Sequence, residues 1–198
     1  MRQPAELRKA QIVAKILDLA DRIGPDRVTT SAVAAEIGVT QAAVFRHFPS
    51  KAEMWGAVAD HVAGALTEAW EKALEGDKSP VERVRALIAA QLQQITATPA
   101  MPMLLFSREL NVENAALRAA FRDRLATLNG LLMREVLRGQ EAGAFSGDIS
   151  AADAAVLLTS LVQGVAIRWS LGARDFVPHD EGMRLLAVQL RLLGAREG

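Results

Sequence analysis

The chain contains no cysteine and no tyrosine, and only three histidines, His47, His61 and His179. Without cysteine there are no disulfides, no thiolate metal sites and no thiol nucleophile, a composition compatible with a reducing cytosol. The histidines are scattered and none falls in an HExxH-type spacing, so a histidine metal centre is not expected. GxSxG, GxxxxGK[ST] and GxGxxG patterns are also missing, which leaves no cofactor cradle and no catalytic residues to name. An all-α enzyme therefore fails on its residues. Formal net charge is +0, which by itself points neither toward nor away from nucleic acid. Strand signals are scarce too: no apolar/polar alternation rich in β-branched residues, and no Asn-Gly or Asp-Gly hairpin turn.

What is present is apolar and helical in period. Hydrophobic residues make up 51% of the 198 residues and charged residues 23%, enough to build a core and too apolar for global disorder. The first ten residues carry Arg2, Glu6, Arg8 and Lys9 with no apolar stretch behind them, unlike a secretory leader. The longest apolar run, 154–167, is shorter than the roughly 18 residues of a membrane span and includes Thr159, Ser160 and Gln163. A soluble, cytoplasmic protein without a membrane partner is the expectation.

Charge is unevenly spread. Residues 1–51 hold eight Lys and Arg against five Asp and Glu, a net +3, so the remainder carries −3. A basic N-terminal module facing an anionic partner would give this asymmetry. Ile12, Ile16, Leu19 and Ile23 recur at helical spacing, and Gly24-Pro25 ends that helix. The stretch "VTTSAVAAEIGVTQAAVFRHFPSK", 28–51, follows. Thr30 is expected to cap a helix to about residue 37, Gly38 to break it, and Thr40 to cap a second helix over 41–48. Ser50 caps a long helix over about 51–75. Further helices are expected over about 80–98, 114–142, 151–171 and 180–193, with a kinked, proline-bracketed segment at 99–113. The chain thus predicts about nine helices and no sheet.

Ala34, four residues before Gly38, lets the two short helices cross closely, and Val33, Ile37, Val39 and Val44 can lock them onto the first helix. This is the spacing of a helix-turn-helix, although an ordinary αα-hairpin has the same skeleton. The second helix shows Gln41, Ala42, Ala43, Phe45 and Arg46 to the outside or its margins. Such small side chains suit a helix that enters a groove. His47 and Lys51 follow, where they could pair with phosphates beside the helix N-termini.

"TTSAVAAEIGVTQAAVFRHFPSKAEMW" resembles the DNA-binding signature of the TetR/AcrR family of transcriptional regulators, over about residues 10–55. The resemblance implies an N-terminal three-helix DNA-binding domain, 1–51, and an all-helical effector-binding and dimerisation domain, 52–198. It implies base-reading positions at Gln41, Ala42 and Ala43, and phosphate contacts at Thr29, Thr30, Ser31, Phe45, His47 and Lys51. The family usually has tyrosine where Phe45 stands. Phenylalanine has no hydroxyl for a phosphate, so only its packing role carries over.

In the body, Gln91 and Asn129 interrupt apolar helical stripes. Either backbone satisfies them or they line a cavity. With Met103 and Phe106 from "MPMLLF" they are the candidate walls of a pocket for a small apolar or weakly acidic ligand. Arg108 and Arg168 are the nearest partners for a carboxylate. The run 154–167 is apolar nearly all round, and the last helix is similarly rich. Covering both suggests a homodimer through a four-helix bundle, with Leu157, Leu161, Gly164, Val165, Leu186 and Leu190 in the interface. The resembled family dimerises in this way. The leading expectation is a repressor that binds a pseudo-palindromic duplex operator and is released by such a ligand. The alternative is a DNA-binding protein of the same fold without a small effector, controlled by a protein partner or acting architecturally.

Overall fold

A computed structural model describes residues 5–172 and 174–196. These fold into ten α-helices, with no strand among the described residues. They are α1 (Ala5–Ile23), α2 (Thr30–Glu36), α3 (Gln41–Phe45), α4 (Lys51–Ala73), α5 (Pro80–Ala97), α6 (Met101–Phe106), α7 (Arg108–Glu113), α8 (Ala115–Glu141), α9 (Ala151–Leu171) and α10 (Pro178–Leu192). The chain divides into two compact units. One takes in residues up to Gly64 together with Thr98–Arg122; the other takes in Ala65–Ala97 together with residues from Asp123 onward. The division falls inside α4 and α8, and it gives α6 and α7 to the first unit.

In the first unit α1 buries Ile12, Ile16 and Leu19 of its predicted stripe, with Val13 and Ala20 beside them, but Ile23, at the last position before Gly24, is exposed. It ends at Ile23 because Gly24 takes φ +85° and Pro25 has no N–H to continue the ladder. A single 3-10 turn, Pro25–Arg27, leads to Val28, which is fully buried. The proline-bracketed segment is more regular than its sequence suggests. Pro102 is the second residue of α6, where no intrahelical donor is lost, and α6 is an ordinary short helix. Ser107 then ends α6 and caps α7, its Oγ accepting from Leu110 N at 3.1 Å. The Asn111 amide donates to the carbonyls of Leu104 and Ser107, at 3.0 and 2.7 Å, and so satisfies the end of α6. Ser107 Oγ also donates to Asp26 Oδ1 at 2.6 Å, a bond between residues far apart in sequence.

In the second unit α5, α9 and α10 pack on one another around Leu87, Ile88, Leu92, Leu158 and Leu186. Gly182 sits against the Leu92 side chain, where an added Cβ would lie 2.4 Å from Leu92 Cδ1, so α10 crosses α5 at a residue without one. Among the described residues α9 is long and apolar enough to cross a membrane by length and composition. The run 154–167 had led us to expect a segment too short for this, but the helix extends it at both ends. α9 lies against α5 and α10 with Ala155, Leu158, Val162 and Val165 buried, as a bundle helix does.

Candidate nucleic-acid interface

The site is built from two short helices and their caps. Thr29, not Thr30, is the N-cap of α2: its backbone is extended and its Oγ1 accepts from Ala32 N at 3.1 Å. Thr30 is the first helical residue, so its hydroxyl is not used as a cap. α2 ends in a left-handed turn. Gly38 takes φ +68°, with Gly38 N donating to Ala35 O at 3.3 Å and Val39 N to Ala34 O at 3.0 Å. A Cβ at Gly38 would meet nothing within 4 Å, so the glycine is required by conformation and not by space. Thr40 caps α3, accepting from Ala43 N at 3.3 Å. Val33, Ala34 and Val44 are buried between the helices, and Ile37 and Val39 are half-buried at the turn. α3 stops at Phe45, earlier than the expected residue 48, because the chain tightens into a turn that buries Phe48.

That geometry exposes one face of α3. Gln41, Ala42, Phe45 and Arg46 are exposed and Ala43 is half-buried. Phe45 is 41% exposed, unusual for a ring of its size with no polar handle. Thr29 and Ser31 are exposed at the start of α2, and Thr30 and His47 are half-buried. Gln41 is not free: its Nε2 donates to Thr30 Oγ1 at 3.1 Å. Lys51, the first residue of α4, lies behind the Ser50 cap, whose Oγ accepts from Glu53 N at 3.1 Å. The Lys51 ammonium stands 3.8 Å from a Glu113 carboxylate oxygen at the end of α7. Neither the Gln41–Thr30 bond nor the Lys51–Glu113 pair was expected, and for Glu113, 62 residues beyond Lys51, no sequence signal exists.

The candidate pocket residues divide between the two units. Met103 and Phe106 belong to the first unit, and Gln91 and Asn129 to the second. Gln91 is buried, but its Oε1 accepts from Trp70 Nε1 at 3.0 Å, so the amide on the apolar stripe has a protein partner after all. Asn129 and Met103 are half-buried and Phe106 is 45% exposed. Arg108 is exposed, and Arg168 already has its carboxylate, Glu181 of α10, at 3.1 Å. Of the candidate interface residues, Val165, Leu186 and Leu190 are buried within the chain's own bundle. Leu157 and Gly164 are exposed and Leu161 is half-buried. Leu161 and Gly164 line a shallow groove between α9 and α10, together with Val165, Leu185, Val188 and Leu192.

The arrangement is a helix-turn-helix whose second helix is open to solvent. Residues 12–58 match the family described as bacterial regulatory proteins, tetR family, and residues 80–193 match the BetI-type transcriptional repressor C-terminal family. The chain belongs to the tetR family of bacterial regulatory proteins. It is thus a regulator by family and not an enzyme. Nucleoid occlusion factor SlmA of Vibrio vulnificus is 32% identical over 108 residues, 54% of either chain, so that alignment spans about half the length of the relative. SlmA of Vibrio cholerae is 27% identical over 91% of this chain and 93% of its own. The ketosteroid transcriptional regulator KstR2 of Mycobacterium tuberculosis shares the fold, with a TM-score of 0.79 at 18% identity, over 96% of both chains.

Proposed function

We propose that the protein is a cytoplasmic homodimer that binds a pseudo-palindromic duplex operator and represses transcription. The observation that carries this reading is the exposed face of α3; on DNA, Gln41, Ala42 and Ala43 would turn toward base edges. Thr29, Thr30, Ser31, His47 and Lys51 flank it within reach of phosphates, and Phe45 adds a packing contact to the backbone. Residues 1–51 hold the DNA-reading part, and two copies would set their α3 helices in successive major grooves, about 34 Å apart. The match of residues 80–193 to a repressor family supports the sign of regulation.

The test is selection of binding sites from a randomised duplex library. Wild type should recover a two-fold symmetric motif. Gln41→Ala should relax one A·T position per half-site, with a loss of about 1–3 kcal/mol there. Recovery of the same motif by both proteins would exclude Gln41 as a base reader, and recovery of no motif by wild type would exclude the reading as a whole.

Release by a small apolar or weakly acidic effector is one form of this reading; control without one is the other. The partner that Gln91 finds in Trp70 favours the second form, because it removes one of the polar anchors a ligand would use. The SlmA relatives, named as nucleoid occlusion factors, also favour it. Native mass spectrometry of the purified dimer distinguishes the two. A retained small molecule supports the effector form, and a bare dimer mass supports control by another route.

A further inference from the structure

The double threonine Thr29-Thr30 divides two tasks between identical side chains. Thr29 caps α2, so the Thr30 hydroxyl is left to face α3, and there it accepts a hydrogen bond from Gln41 Nε2 at 3.1 Å. A threonine hydroxyl has one proton to give and lone pairs to accept with, and a primary amide has two protons and a carbonyl oxygen. In the observed bond the hydroxyl acts as acceptor, so its own proton is unspent. On the amide, one N–H is engaged. The other N–H and the carbonyl oxygen remain, a donor and an acceptor side by side. That pair complements adenine, whose major-groove edge offers N7 as acceptor and N6 as donor; guanine offers two acceptors there.

We propose that Thr30 is a positioning residue for base recognition, which fixes the orientation of the Gln41 amide and thereby its choice of adenine over guanine. The inference rests on the DNA-binding reading above and deepens it. In the free protein the amide could turn over and accept the threonine proton instead, because a hydroxyl serves either way. Once a phosphate oxygen takes that proton, Oγ1 can only accept, and only the orientation with Nε2 toward Thr30 keeps the bond. Contact with the backbone therefore sets the group that reads the base. A phosphate contact, which carries no sequence information by itself, acquires a share in specificity through its neighbour.

The experiment compares Thr30→Val and Thr30→Ser on the site that wild type selects, with all four base pairs placed in turn at the position Gln41→Ala identifies. Thr30→Val keeps the branched shape and removes the hydroxyl. It should lower the preference for adenine over guanine at that one position by about fivefold, the scale of one neutral hydrogen bond. It should also weaken binding to all four sequences through the lost phosphate contact. Thr30→Ser should keep the preference. In a Gln41→Ala background Thr30→Val should cause the uniform loss alone. Circular dichroism and thermal unfolding establish that α2 is intact, and Thr30→Ala serves as a second variant if valine disturbs it. A uniform loss with unchanged base preference in the Gln41 background would reduce Thr30 to a phosphate contact and overturn the proposal. So would no effect at all. Absence of any sequence preference in wild type would overturn the DNA-reading role itself, a result the variants do not mimic.

Discussion

Glu181 of α10 takes hydrogen bonds from Arg184 at 2.8 and 3.0 Å and from Arg168 of α9 at 3.1 Å. The Arg184 bonds first, and then those of Arg168, hold its carboxyl at about 2, below the ordinary 4.5. A carboxylate whose folded pKa is depressed contributes stability above its unfolded value and loses it as pH falls through the folded one. The window is therefore between about 4.5 and about 2. Glu181→Gln should lower the neutral Tm slightly, the pair being accessible to solvent, and flatten the fall of Tm across that range, so that the two curves converge toward its acid end; scans at several pH values would show a parallel fall if the pair is not coupled to folding. At this scale the sequence is least explicit. Gln91 stands out as an amide on an apolar stripe, but its partner Trp70 lies 21 residues away and on another helix. The Thr29-Thr30 pair is ambiguous for a different reason: either hydroxyl suits a cap, and backbone geometry alone decides which one takes it.

The start of α4 brings a helix N-terminus and Lys51 together, a natural place for a phosphate. Glu113 at the end of α7 already stands beside that ammonium, at 3.8 Å. A phosphate must therefore compete with a carboxylate of the same chain. Lys51→Ala should weaken binding to every sequence and lower the salt slope by about one unit. Glu113→Gln should tighten binding to every sequence, and the gain should vanish in the Lys51→Ala background; titrations of the four proteins at several salt concentrations give both quantities. Equal gains in both backgrounds would mean that Glu113 acts by general repulsion and not through Lys51. Elements were the most legible level. Helix ends at Gly24-Pro25, Gly38 and Gly143 follow from glycine and proline chemistry, and the caps at Thr40 and Ser50 from hydroxyls in front of apolar runs. The proline-bracketed segment was misjudged because Pro102 falls in a first turn, where proline is harmless, and because the Asn111 amide closes α6 from outside.

Over the whole chain, the apolar content of α9 and α10 pointed to a second copy but not to which residues would meet it. Period alone cannot tell the side that packs on α5 from the side left open, since both are apolar. The structure buries Val165, Leu186 and Leu190 and leaves Leu157, Gly164 and Leu192 outside. Gly164 is the position that probes the proposed interface most directly. A Cβ there meets nothing within 4 Å in its own chain, so an added side chain starts into open space. Gly164→Leu should then yield a folded protein with near-wild-type helicity that sediments as a monomer or as aggregates and has lost tight operator binding. A dimer of unchanged size from this variant would place the contact on another face.

The first compact unit is not continuous in sequence: α6, α7 and the start of α8 complete it after an excursion of 33 residues, Ala65–Ala97, into the other unit. Synthesis on the ribosome runs in one direction, at about 5–20 residues per second. Helices α1, α2 and α3 emerge first and must wait for residues 98–122 before the Ser107–Asp26 bond can form. For several seconds the nascent chain holds a recognition helix without its final support. A fragment that stops at residue 64 would remain in that condition permanently, which makes the family's signature segment a poor place to cut this protein.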